Sequence, residues 1–304
     1  ILAKHADDLL PTDIPANVYE QLKASQVTDV HLFARRGPAQ VKFSSLELRE
    51  LGKVPDVDVV VYPEDFEFDK GSMAAIHSSN QTKQVVKTLT DWTLIEPDEQ
   101  TASHRIHLHL LHAPVEVLGE DGHVVALRTE RTALNGDGTA SGTGEFHDWP
   151  VQAVYRAVGY FGSPLVDIPF DDLRGVIPNR EGRVIDVDGE QVPGVYATGW
   201  IKRGPIGLIG HTKSDAAETI RHLVEDATEQ DGAALRTAPE PDPSAVIDFL
   251  SARGVPVIEW ADWEVLDAHE IALGTAAGRE RIKVVPREEM TAIALALPQP
   301  PATA

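Results

Sequence analysis

The chain has 304 residues, 42% of them hydrophobic and 25% charged, which suits a globular protein of more than one domain. With 48 acidic against 27 basic side chains its formal net charge is −21, and that balance argues against nucleic acid and anionic membrane surfaces as partners. The absence of cysteine excludes disulfides, thiolate nucleophiles, Cys-x-x-Cys redox pairs and Cys-ligated iron–sulfur clusters within these residues.

Taken in chain order, residues 1–6 read as the middle of a helix without a cap before it. Residues 30–34 (Val-His-Leu-Phe-Ala) read as a short buried strand, and Arg35, Arg36 and Gly37 follow at its carboxyl end. Ligands of a doubly wound sheet bind beyond the carboxyl ends of its strands. An acid there selects the free ribose hydroxyl of NAD, and arginine accommodates the 2′-phosphate of NADP. Two adjacent guanidiniums can grip a phosphate in a bidentate manner, although an isolated Arg-Arg pair is also ordinary on a solvated turn. Ser44 or Ser45 is a helix N-cap with Glu47 in the first turn, and Glu47 and Glu50 share one helical face. Spacing alone makes that face an exposed one.

Residues 57–134 read as a β-rich stretch. Within it residues 105–110 alternate strictly, which places His107 and His109 on the exposed side opposite Ile106, Leu108 and Leu110. His104 and His112 are near in sequence, but no Asp or Glu stands at ligand spacing among the four, so no metal is assigned. Residues 135–144 read as a flexible hairpin loop. Residues 183–187 and 194–198 are expected strands. Residues 199–213 (Gly-Trp-Ile-Lys-Arg-Gly-Pro-Ile-Gly-Leu-Ile-Gly-His-Thr-Lys) form a glycine-rich strand-to-helix turn whose backbone can approach something flat or anionic. It is not the GxGxxG fingerprint, and a plain structural connection is the competing reading. A helix over 213–224 is expected to turn Ala217, Ile220, Leu223 and Val224 to one side. An acidic linker spans 225–243. Beyond it residues 245–250 are amphipathic, Trp260 and Trp263 flank an acidic turn, and His269-Glu270 lacks the second histidine of a zincin helix. Residues 298–304 read as a disordered tail. No membrane-length apolar run and no signal peptide are legible, so the default expectation is the cytoplasm.

The turn at 199–213, the preceding residues 154–160 (Val-Tyr-Arg-Ala-Val-Gly-Tyr) and the string Arg35-Arg36-Gly37-Pro38-Ala39-Gln40 resemble segments of the adrenodoxin-reductase-like ferredoxin–NADP reductases, close to the mycobacterial type. That resemblance covers nearly the whole chain. It implies an α/β fold of two Rossmann-like, glutathione-reductase-type dinucleotide-binding domains with the front end missing, plus a small C-terminal extension. Residues 1–150 would be part of the NADP domain, 151–224 the return to the FAD domain, 225–243 the linker and 244–304 the extension. The implied activity passes electrons from NADPH through FAD to ferredoxin. By resemblance Arg35 and Arg36 hold the 2′-phosphate, and Glu47 and Glu50 lie near the nicotinamide, with Glu50 as the catalytic carboxylate. Trp200 and the backbone of Gly207, Leu208 and Ile209 contact FAD and nicotinamide. The family usually has proline where this chain has Ser45. The Gly-rich turns for both pyrophosphates are not seen in these residues, so the purified chain is expected to be colourless and inactive. Ferredoxins are commonly acidic, and the basic side chains near the site for docking one are Arg35, Arg36, Lys202 and Arg203. Two other readings stay open: an electron-input subunit of the glutamate-synthase small-subunit type, and a non-catalytic nucleotide-binding remnant.

Overall fold

The computed structural model describes residues 1–205, 209–229 and 239–296, the side chains of 209–211 excepted. It divides into two compact units, Ile1–Val154 with Ile258–Ala304, and Tyr155–Val257.

The first unit begins with turns over residues 1–5 and a 3-10 helix at Ala6–Leu9 in place of the expected helix. α1 (Ala16–Lys23), β1 (Asp29–Ala34), α2 (Ser45–Leu51), β2 (Val57–Val61), α3 (Lys70–Ser78), α4 (Asn80–Trp92) and β3 (His104–Leu110) follow. The strands form a parallel sheet in the order β1-β3-β2. Val57, Val59 and Val61 alternate into the core, where they meet Ile106 and Leu108 of β3, Leu48 of α2, and Val85 and Leu89 of α4. The stretch read as β-rich thus contains two helices. Each is capped by a side chain, Asp69 accepting from the Ser72 N–H and Ser79 from the Thr82 N–H. In α4 the buried Val85, Val86 and Leu89 form a helical stripe.

β3 is the central strand, and aromatic side chains cover the face that bears its histidines, which overturns the exposed setting expected for them: His107 is half-buried and His109 is buried. His109 is 1% exposed. Its ring lies 4.7 Å from those of Phe33 and Tyr62 and 4.1 Å from that of Trp149. His107 Nε2 lies 2.8 Å from Asp29 Oδ1, and the Tyr62 hydroxyl lies 2.8 Å from His107 Nδ1. β4 (His112–Glu120), β5 (His123–Leu134) and β6 (Ala140–Pro150) form an antiparallel meander that brings Trp149 to this cluster. The glycine-rich hairpin is shorter than expected, because β6 already begins at Ala140. A Cβ at Gly142 would lie 2.2 Å from Glu130 Oε1, so any larger residue there would have to move the Glu130 carboxylate aside.

In the second unit β7 (Asn179–Arg180), β8 (Arg183–Ile185) and β9 (Gln191–Tyr196) form an antiparallel sheet. α5 (Trp200–Arg203), α6 (Ile209–Glu229) and α7 (Ser244–Ser251) follow. A small core unites Ile177, Val184 and Ala197. α6 does not turn its apolar residues inward as expected: Ile220 and Val224 are exposed, whereas Thr219 and His222 are buried. The helix is docked by hydrogen bonds. Thr219 donates to the Ala197 carbonyl at 3.0 Å, His222 Nδ1 lies 2.8 Å from the Glu181 carbonyl, and Asp226 accepts from Arg183, Tyr196 and Gln191. Asp215, Thr219, His222 and Asp226 recur at helical spacing, so a polar stripe occupies the inner face. α6 also carries on to Glu229, five residues past its expected end at Val224.

α8 (Trp260–Ala276) and α9 (Arg287–Ala294) belong to the first unit. Trp260 and Trp263 lie in the first turns of α8, which is closed by a capping box between Glu259 and Asp262. Glu270, 1% exposed, is held by Lys283, Arg281 and the Val284 N–H. Arg279 donates to the carbonyls of Leu10, Thr12 and Ile14 and fastens this part to the amino-terminal segment. The tail read at 298–304 lies outside the described residues.

Candidate functional site

The residues singled out in the first unit follow β1 without a break. Parallel strands present their carboxyl ends together, and the chain leaving β1 turns sharply there: the Gln40 N–H donates to the Gly37 carbonyl at 3.0 Å, and residues 37–40 are all buried. The backbone of both arginines is fixed from outside. Thr132 Oγ1 donates to the Arg35 carbonyl at 2.8 Å, and the Leu111 N–H donates to that of Arg36 at 3.3 Å. Gln40 Nε2 donates to Ser72 Oγ, which in turn donates to Asp69. The Arg35 side chain is exposed on this rigid turn. That of Arg36 is half-buried and donates to the Gly138 carbonyl at 3.3 Å.

α2 begins five residues beyond Gln40. Ser44 is its N-cap: the hydroxyl accepts from the Glu47 N–H at 3.1 Å and donates to Glu47 Oε2 at 2.6 Å. Leu48 anchors the inner face at 3% exposure, and Glu47 and Glu50 project from the outer face as exposed carboxylates.

In the second unit β9 delivers the chain to Ala197, Thr198 and Gly199. Gly199 adopts φ 76°, ψ −152° and Gly204 φ 88°, ψ 169°, a region that side chains with a Cβ avoid. Between these two glycines the single turn of α5 presents Trp200, 48% exposed, with its ring stacked on Tyr160 at 5.9 Å. Gly207 and Leu208 lie outside the described residues, as does the side chain of Ile209, which opens α6.

Asp215 on α6 organises this turn, and sequence reasoning missed it. Its Oδ2 accepts from the Gly199 N–H at 2.5 Å and from Thr198 Oγ1 at 3.1 Å and forms an ion pair with Arg203 Nη1 at 2.8 Å, while Oδ1 lies 3.2 Å from Lys202 Nζ. Burial pushes the Asp215 carboxyl up; the Gly199 N–H, Lys202 and Thr198 outweigh it and hold the group below the usual carboxylate range. The signal available in the sequence was a lone carboxylate two residues beyond Lys213, with nothing to say which way it faces. Lys202 is 7% exposed and also bound to Glu218 at 2.5 Å. Lys202 and Arg203 are therefore neutralised within their own unit. These pairings count against Lys202 and Arg203 as the basic side chains expected to dock a ferredoxin.

No protein-family model matches the chain. It is 37% identical over 300 residues to the NADPH-ferredoxin reductase FprA of Mycobacterium tuberculosis H37Rv, a match covering 97% of this chain and 64% of the relative. It is 35% identical to the mitochondrial NADPH:adrenodoxin oxidoreductase of mouse, over 95% of this chain and 59% of that one. A probable ferredoxin/ferredoxin–NADP reductase of Mycobacterium bovis is 36% identical over 304 residues and is half covered. Among solved structures, M. tuberculosis FprA in complex with NADPH superimposes with a TM-score of 0.82 at 35% identity, over 97% of this chain and 64% of that one. These homologues bear out the resemblance read from the sequence and establish the mixed α/β fold. The chain spans about half to 64% of the length of these relatives.

Proposed function

We infer that the chain belongs to the adrenodoxin-reductase-like ferredoxin–NADP reductases and forms the larger part of an enzyme that takes electrons from NADPH, through FAD, to a ferredoxin. The carrying observation is likeness of both sequence and fold to FprA over 97% of the chain. The first unit would supply the NADP-binding portion, and residues 155–229 the returning part of the FAD-binding domain with its Rossmann-like helix α6.

Arg35 and Arg36 would hold the 2′-phosphate. The fit rests on their place at the carboxyl end of a parallel strand and on a turn whose backbone is pinned by Thr132 and Leu111. Arg36 keeps an orientation set by Gly138, and Arg35 closes on the phosphate from solvent. Glu47 and Glu50 would lie towards the nicotinamide end, with Glu50 as the carboxylate nearest the reacting ring. On the flavin side the fit rests on the half-exposed Trp200 indole and on the glycines at 199 and 204, which leave the backbone bare beside it. Bound FAD would accept a two-electron hydride and release electrons singly, so the protein need only orient and shield. Asp215 keeps the turn in the shape that presents Trp200.

The test is nucleotide binding by titration. Changing Arg35 and Arg36 together to alanine should weaken NADPH binding by more than about 100-fold, since charge-assisted bonds contribute roughly 1.5–3 kcal/mol each, while NADH binding barely moves. An equal loss for the two nucleotides would refute the clamp.

A further inference from the structure

A second cluster lies at the opposite edge of the parallel sheet, where β2 and β3 begin. Val57 pairs with His104, which puts Asp56 and Ser103 side by side just before the two strands. The amino-terminal segment brings His5 to the same place. His5, Asp56 and His104 each offer a ligand atom, and these atoms lie within 4.8 Å of one another.

Their arrangement is convergent. Asp56 Oδ2, His104 Nδ1 and His5 Nε2 lie 2.5, 2.9 and 3.2 Å from one atom, the hydroxyl oxygen of Ser103. His5 Nε2 and Asp56 Oδ2 are also 2.7 Å apart. Asp56 is held in position by the Ser103 N–H at 3.0 Å and by a left-handed backbone, φ 52°. The cluster therefore surrounds a centre that a small polar group fills. A cleft of about 180 Å³ beside it, lined in part by His5 and His104, offers a route from solvent. Lys4 and Lys23 also line that cleft, and Lys23 is tied to Asp7 at 2.5 Å.

A second histidine group, His31, His107 and His109, brings three nitrogens equally close. Its rings are within 7–12° of parallel and its nitrogens are used pairwise, His31 with His109 and His107 with Asp29 and Tyr62. Those lone pairs do not converge on one point.

We propose that His5, Asp56 and His104 form a binding site for a zinc-class divalent cation, which displaces the Ser103 hydroxyl from the centre of the three and keeps water in its remaining position. Two imidazoles and a carboxylate are the donor set that zinc and cobalt accept, with three protein ligands and an open fourth place. The ion would tie together three segments remote in sequence at the amino ends of the strands, away from Arg35 and Arg36, and its fourth place would stay open to water. Spacing could not reveal it, since the two histidines are 99 positions apart in the chain and the carboxylate lies between them.

The purified protein, stripped with chelator, is titrated with Zn²⁺ by calorimetry and with Co²⁺ by visible absorption. One equivalent should bind, with a Co²⁺ band of tetrahedral intensity and a raised melting temperature. His5→Ala, in an exposed loop, and Asp56→Asn should each weaken Zn²⁺ binding by more than about 10-fold. Ser103→Ala should bind at least as tightly as the parent, because the competing hydroxyl is gone. His123→Ala, on the exposed start of β5, should change nothing. Absence of a stoichiometric site, or binding that survives both His5→Ala and Asp56→Asn, overturns the proposal and leaves a hydrogen-bonded tie.

Discussion

At the scale of single residues, Asp215 gathers more of the second unit's polar contacts than its exposed neighbours. Its side chain is 10% exposed and holds two cations, a backbone N–H and a hydroxyl. Removing one partner of a buried ion pair strands the others, which costs more than the pair itself contributes. Asp215→Ala should therefore lower unfolding stability by on the order of 3 kcal/mol, read as a shift of the urea midpoint. Glu218 shares Lys202 with it, but its side chain is 40% exposed, so Glu218→Ala should cost less than about 1 kcal/mol. Equal shifts for the two would mean that Asp215 is an ordinary surface partner. The depressed Asp215 carboxyl adds a sign: its contribution is present above the unfolded value of 3.8 and fades as pH falls below it.

At the scale of elements, α2 shows how closely a short helix depends on its first residues. Ser44 is extended at φ −78°, ψ 145°, and Ser45 is the first helical residue, whose N–H needs no helical partner. That is the place where proline fits, and an extended residue before it is what proline requires. Ser45→Pro should raise stability by roughly 0.5–1 kcal/mol through the unfolded state, whereas Ser44→Ala should lower it by about 1 kcal/mol through loss of the cap. Urea unfolding of both variants decides it, and a loss for Ser45→Pro would show that the entry to α2 is not as drawn. This helix was readable in advance because serine, glutamate and leucine announce caps and faces locally. So was β1 with its arginines. α4 carries a stripe at Val85, Val86 and Leu89 that the polar residues among them hid. The burial of His109 and the inward polar face of α6 were not local facts. The first depends on β3 lying between β1 and β2, and the second on partners such as Glu181 and Arg183 some 40 positions away. Periodicity assigns apolar residues to the inside by default, and it failed wherever hydrogen bonding did the docking.

At the scale of the molecule, charge and buried imidazoles oppose each other as pH falls. A formal charge of −21 works against the compact state, and protonating carboxylates would relieve it. Most of that relief comes near and below pH 4, where the depressed Asp29 and Asp226 carboxyls also lose their stabilising effect. The histidines act earlier. Burial first, then the neighbouring cationic forms of His31 and His107, pushes His109 down to about 3; burial and Arg131 push His112 to about 4. His31 is lowered as well, chiefly by burial. His109 and His112 stay neutral in the fold and take up a proton near pH 6.5 once unfolded. The unfolded state therefore binds more protons between these values, and stability must rise with pH there by up to about 1.4 kcal/mol per pH unit for each such group. Between pH 6.5 and 5 carboxylates remain largely ionised, so the histidines set the slope. Urea unfolding should show stability falling steadily from pH 7 to 5. His109→Phe, which keeps a ring among Phe33, Tyr62 and Trp149, should flatten that fall by removing one titrating group. A profile that stays level or rises on acidification through this range would mean that relief of the molecule's negative charge outweighs the buried histidines.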